Sequence, residues 1–140
     1  MILFSCKSKE EEDQESLYEP PSVSGTVQNQ EIAENISRGS AIYNNFCATC
    51  HLSSGEGIPG VFPPLNGSDW LSEKRTAAIH AVKFGLQGPI EVNGKDYNSV
   101  MTDLGLTDQE IADVLNYVFQ AWDNNIEKPV TLEEVQAVKE

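Results

Sequence analysis

A chain of 140 residues with 39% hydrophobic and 22% charged side chains supports one soluble domain with some tail, and is too short for two full domains. Acidic residues outnumber Lys and Arg by 22 to 9, and a formal charge of -13 repels phosphate backbones and anionic lipid surfaces, which argues against nucleic acid as a partner. No apolar run approaches the roughly 18 residues that a membrane-spanning helix requires.

Residues 1–30 hold six acids, Glu10, Glu11, Glu12, Asp13, Glu15 and Glu19, against Lys7 and Lys9. From residue 7 to 30 there is little aliphatic bulk and no helical apolar spacing, so burial cannot offset the entropy of ordering. This stretch is predicted to be a flexible acidic tether, whose roughly 24 residues would span on the order of 27 Å as a coil. Leu3-Phe4-Ser5-Cys6 resembles the end of a bacterial lipoprotein signal, in which the cysteine is acylated. The apolar stretch before Cys6 is too short for export, so this reading requires a longer upstream segment. The other reading of Cys6 is an incidental cysteine in a disordered tail.

From residue 31 the pattern turns helical. Ile32, Ile36, Gly39, Tyr43 and Phe46 fall on one stripe, with Glu34, Arg38 and Asn45 facing water. Glycine inside a helix costs about 1 kcal/mol relative to alanine, so Gly39 points to another element packed too closely for a side chain. The segment from Leu52 to Asp69 holds seven Gly or Pro residues and is predicted irregular. A helix is expected from Ser72 to Phe84 with Ala78, Ile79 and Val82 inward, followed by a hairpin in which Ile90-Glu91-Val92 leads into the tight turn Asn93-Gly94. Thr107 and Glu110 form a capping box for a helix whose apolar face is Ile111, Val114, Leu115, Val118 and Trp122, and Thr131 with Glu134 predicts a last short helix. The domain is expected to cover residues 31–125, with 126–140 as a C-terminal extension. Short helices joined by long Gly- and Pro-rich connections need something to pack against, and a buried cofactor would supply it.

Cys47-Ala48-Thr49-Cys50-His51 is C-x-x-C-H, the attachment sequence of c-type haem. At the end of a helix, Cys47 and Cys50 can form thioethers to two vinyl groups, while His51, four residues after Cys47, reaches the iron from one face. A zinc site would need two more ligands, and His80 is the one remaining histidine, predicted to lie at the surface. A thioredoxin-like redox pair would follow a strand and open a helix, whereas this motif closes one.

The stretch from about residue 31 to 124 resembles the class I c-type cytochromes, monohaem bacterial proteins with an all-α fold of three to five short helices around one covalent haem. Gly39 and Tyr43 match the glycine and aromatic of that family's N-terminal helix, and Val114 and Tyr117 match the positions that cross it. The resemblance implies that the Pro63-Pro64-Leu65 loop lies beside the haem, with the Pro63 carbonyl accepting a hydrogen bond from His51. It implies Met101 as the second axial ligand, in the loop before the last helix, with Thr102 standing where many relatives have proline. Tyr97 and Asn98 are candidates for tuning hydrogen bonds near the Met sulfur or the propionates, and Trp70 and Arg75 for the propionate edge.

The segments from Phe62 to Leu71 and from Val92 to Asn98 are similar to bacterial cytochromes that work beside terminal oxidases and nitrite reductases. What the resemblance implies is a one-electron carrier and not an enzyme, since two protein ligands leave the iron no vacant position. The acidic body, sixteen acids against seven bases beyond residue 30, suits a redox partner with a basic docking surface. The expected setting is the periplasmic side of a bacterial membrane, as a monomer held by a lipid anchor at Cys6. The competing readings are a haem enzyme or ligand sensor with a displaceable Met101, and a structural haem module that turns over no electrons.

Overall fold

The structure, a computed structural model, describes residues 24–140. The tether up to residue 23 and Cys6 lie outside them. Six α-helices and one hairpin follow in order: α1 (Ser24–Ile42), a π-helical turn (Tyr43–Cys47), α2 (Ala48–His51), α3 (Asp69–Glu73), α4 (Arg75–Phe84), β1 (Ile90–Val92), β2 (Lys95–Tyr97), α5 (Asp108–Gln120) and α6 (Leu132–Ala137). The architecture is all-α with a small antiparallel hairpin, as the sequence predicts. α1 begins upstream of Ile32, the first residue of the expected stripe, inside the stretch expected to be tether. A polar segment can add backbone hydrogen bonds to a helix that is already nucleated, and such an extension leaves no apolar periodicity to read.

The α1–α5 crossing organises the molecule. Gly39 is buried against α5, and a Cβ built on it would lie 2.7 Å from the Asp113 carbonyl carbon and 2.8 Å from the Tyr117 Cβ. Both distances are shorter than van der Waals contact allows, so only glycine lets the backbones approach this closely. Beside the crossing, Arg38 Nε donates to Asp113 Oδ2 at 2.7 Å and Gln109 Nε2 donates to Asp113 Oδ1 at 2.9 Å, which satisfies a carboxylate that is 3% exposed.

The π turn alters the expected stripe. The Ala48 N–H reaches back five residues to the Tyr43 carbonyl, so the chain takes on an extra residue just before the C-x-x-C-H segment. Tyr43 is fully buried, but Phe46, expected inward, is 46% exposed because the wider turn rotates it outward. Ile32, expected on the same stripe, is also exposed. The single helix expected from Ser72 to Phe84 is two helices, broken at Lys74 (φ -119, ψ 48). Ala78 and Ile79 are buried as predicted, and Ala81 joins them.

The hairpin pairs Ile90 with Tyr97 and Val92 with Lys95, and Asn93 and Gly94 both hold positive φ (52 and 70), as a tight primed turn requires. The Thr107–Glu110 capping box forms in full. α5 ends at Gln120, so Trp122 belongs to the turn beyond it and packs edge-on to Tyr43 at 5.3 Å. Phe119, absent from the predicted apolar face, is 1% exposed. At α6, Thr131 Oγ1 accepts from the Glu134 N–H, but the Glu134 carboxylate turns to Arg75 and the second half of the expected box is missing. The C-terminal extension is part of the core, since Val130, Val135 and Val138 are buried against α5 and its neighbours.

Candidate haem site

α2 ends on His51, and the next residue, Leu52, turns the chain sharply with φ 63 and ψ 159. The irregular segment that follows folds back under the motif. Gly57 N–H donates to the His51 carbonyl at 3.0 Å, Leu65 and Asn66 N–H donate to the Gly55 carbonyl, and Ile58 pairs with Phe62. This brings Pro63 opposite the His51 ring, where Nδ1 lies 2.9 Å from the Pro63 carbonyl oxygen. A carbonyl only accepts, so Nδ1 carries a proton. Burial lowers the pKa of His51, with the Pro63 hydrogen bond opposing it more weakly. Burial thus favours the neutral ring, and in that form the Pro63 hydrogen bond selects the tautomer that offers Nε2 as a ligand.

His51 faces an apolar cleft walled by α4, α5, the hairpin and the proline loop. A second compartment adjoins it, and the two share His51, Pro63, Leu86, Ile90 and Met101. Cys47 opens on the first and Cys50 on the second. Met101 enters from the loop before α5, where it and Leu86 exchange backbone hydrogen bonds of 2.8 and 2.9 Å. One slot is thus bordered by two thiols, a neutral imidazole and a thioether, with almost wholly apolar walls. A planar, mainly apolar macrocycle attached through the thiols fits this donor set.

The dithiol suits neither of the other readings. Burial first, then the neighbouring Cys50, pushes the Cys47 thiol up to about 11, so it is no ready thiolate for exchange chemistry. Among the described residues no group of three or more His, Cys, Asp or Glu side chains is placed to hold a metal ion. His80 lies off the cleft, its ring tilted against Phe84 with centroids 5.1 Å apart.

The other candidates divide. Pro63, Leu65 and Trp70 line the first compartment, and Tyr97, 4% exposed, lines the second. Asn98 lines neither compartment and is exposed. Arg75 is a correction. Its guanidinium donates to both Glu134 oxygens and to the carbonyls of Lys128 and Pro129, so it is committed to the C-terminal segment and lies outside the cleft lining. Several walls were missed. Ile90 and Val92 share one face of the hairpin, a signal the alternation already carried, and both border the cleft. Leu86 and Ser68 gave no such signal, because their place is set by loop paths alone.

The sequence model of the family described as cytochrome c matches residues 36–122. The chain is 44% identical over 110 residues to cytochrome c-552 of Thermus thermophilus, covering 72% of this chain and 83% of that relative. It is 32% identical to the cytochrome c subunit of alcohol dehydrogenase (quinone) from Gluconobacter oxydans and 30% identical to the gluconate 2-dehydrogenase cytochrome c subunit from Pantoea cypripedii. The matches cover 22% and 24% of those longer subunits.

Proposed function

Because this chain belongs to the cytochrome c family, an electron carrier with one haem c bound covalently through Cys47 and Cys50, we propose that it shuttles electrons to or from a respiratory redox complex with His51 and Met101 as axial ligands. The observation that carries this reading is the pairing of His51 and Met101 on the same two cleft compartments, one as a fixed neutral tautomer and one on a backbone bridge.

When bound, the haem supplies reversible one-electron chemistry. The chain's own residues set its surroundings. Pro63 holds the His51 proton on Nδ1, which fixes the ring's orientation and raises its basicity as a ligand. A methionine opposite a histidine favours a higher reduction potential, and so do walls such as Val82, Val92, Val114 and Leu115, which exclude water and disfavour extra charge. Trp70 and Tyr97 border the compartments and are the remaining candidates for polar contacts to the cofactor's edge.

The partner in this reading is a terminal oxidase or reductase with a basic docking surface, suggested by the net charge of -13. The cytochrome c subunits of dehydrogenases among the relatives support a redox partner of this general kind. The proposed setting is the periplasmic side of a bacterial membrane, monomeric and anchored by acylation of Cys6. Among the described residues no helix is long and apolar enough to cross a membrane. Rapid mixing of the reduced protein with a haem-copper oxidase tests the role. Oxidation whose second-order rate falls steeply with added salt is expected. No oxidation at any ionic strength, together with rapid carbon monoxide binding to the ferrous protein, would favour the ligand-sensor reading.

A further inference from the structure

The C-terminal segment grips one wall of the cleft at both ends. α4 turns Ala78, Ala81 and Val82 toward the cleft. Arg75, its first residue, donates through Nε to Glu134 Oε1 at 2.6 Å, through Nη2 to Glu134 Oε2 and the Pro129 carbonyl at 2.8 Å each, and through Nη1 to the Lys128 carbonyl at 2.9 Å. In its last turn, Lys83 Nζ donates to the Val135 carbonyl at 2.9 Å and lies 3.0 Å from Asp108 Oδ1 at the start of α5. Val135 is itself fully buried, so this second anchor is fixed in the core. Just beyond Lys83 the chain meets the loop that carries the methionine. A Cβ on Gly85 would lie 2.6 Å from the Met101 carbonyl oxygen, and Leu86 makes the two-hydrogen-bond bridge to Met101.

We infer that residues 128–135 position Met101 at a distance: by pinning both ends of α4 they hold the Leu86–Met101 bridge closed and keep the thioether in the cleft. Arg75 and Lys83 act through α4 and are positioning residues. This rests on the reading of Met101 as a ligand. An isolated bridge between two loops opens easily by itself, and anchors on the helix that leads into one of those loops raise the cost of opening. A competing ligand reports that cost, because its apparent affinity scales with the fraction of molecules in which the methionine has left.

The test is imidazole titration of the ferric holoprotein, with amide hydrogen exchange at Leu86 and Met101 as a second reading. The combined variant Lys83→Met and Glu134→Gln is expected to bind imidazole about tenfold more tightly and to exchange both amides faster by a similar factor, Glu134→Gln alone to move both about threefold, and Lys83→Arg to retain the parent values. Should the combined variant fail to fold, Glu134→Gln alone decides the matter. Arg38→Ala, which breaks the ion pair beside the α1–α5 crossing, is expected to lower global stability without moving either reading. Parent affinity in the anchor variants, or an equal rise in Arg38→Ala, would overturn the inference. If Met101→Ala binds imidazole no more tightly than the parent, Met101 is not the ligand and the underlying reading fails with it. If Met101→Ala gains affinity while the anchor variants do not, only the positioning role is lost.

Discussion

Leu52 has a positive φ of 63 with ψ 159, a conformation costly for a residue with a side chain, and it sits immediately after His51. What holds it is the Tyr43 hydroxyl, which donates to the Leu52 carbonyl at 2.6 Å, and the Gly55 N–H, which reaches the same oxygen at 3.1 Å. Tyr43→Phe keeps the ring contacts with Tyr117 and Trp122 and loses one part-buried hydrogen bond, so it should cost about 1 kcal/mol in denaturant unfolding of the holoprotein. Gly57 does a parallel task. It holds φ 64, and a Cβ there would lie 2.6 Å from the Pro63 carbonyl oxygen that accepts the hydrogen bond from His51 Nδ1. Gly57→Ala should therefore cost about 1–3 kcal/mol and speed exchange of the His51 ring N–H, which nuclear magnetic resonance detects. Unchanged exchange would mean that the carbonyl does not depend on that glycine.

At the scale of the elements, α1 approaches α5 at Gly39 too closely for any side chain. Gly39→Val must push α1 away from Asp113 and Tyr117, and a loss of about 3 kcal/mol or more is expected from thermal unfolding of the holoprotein. α6 is tied down electrostatically. The Arg75 guanidinium holds the Glu134 carboxyl below the usual carboxylate range. A carboxyl with a depressed native pKa stabilises the fold above its unfolded pKa and loses that contribution as pH falls through the native value. Glu134→Gln should accordingly be about 1 kcal/mol less stable than the parent near neutral pH, with the difference fading as pH falls below about 4. Urea unfolding at a series of pH values checks this. The elements also show where sequence reading ends. Thr107 with Glu110 and the Asn93-Gly94 turn were legible because capping and turn geometry are local. The π turn, the break at Lys74 and the docking of the C-terminal segment were not, because each is decided by packing against residues distant in the chain.

For the molecule as a whole, the site was more legible than the fold around it. Cys47, Cys50 and His51 are bound into one short pentapeptide, so their chemistry shows in their spacing. Pro63 and Met101 were reached through the family resemblance, and their placement follows from loop paths that no periodicity records. Arg75, a candidate for the propionate edge, was unreadable for the same reason, because its partners, Glu134 and the carbonyls of Lys128 and Pro129, lie far along the chain. The most direct test of the whole account is the ferric visible spectrum of the matured protein beside that of Met101→Ala, each with the mass of one attached haem. A sulfur-to-iron charge-transfer band present in the parent and lost in the variant is the predicted result. A folded parent without that band, or a variant that keeps it, would contradict the assignment of Met101 as the ligand facing His51.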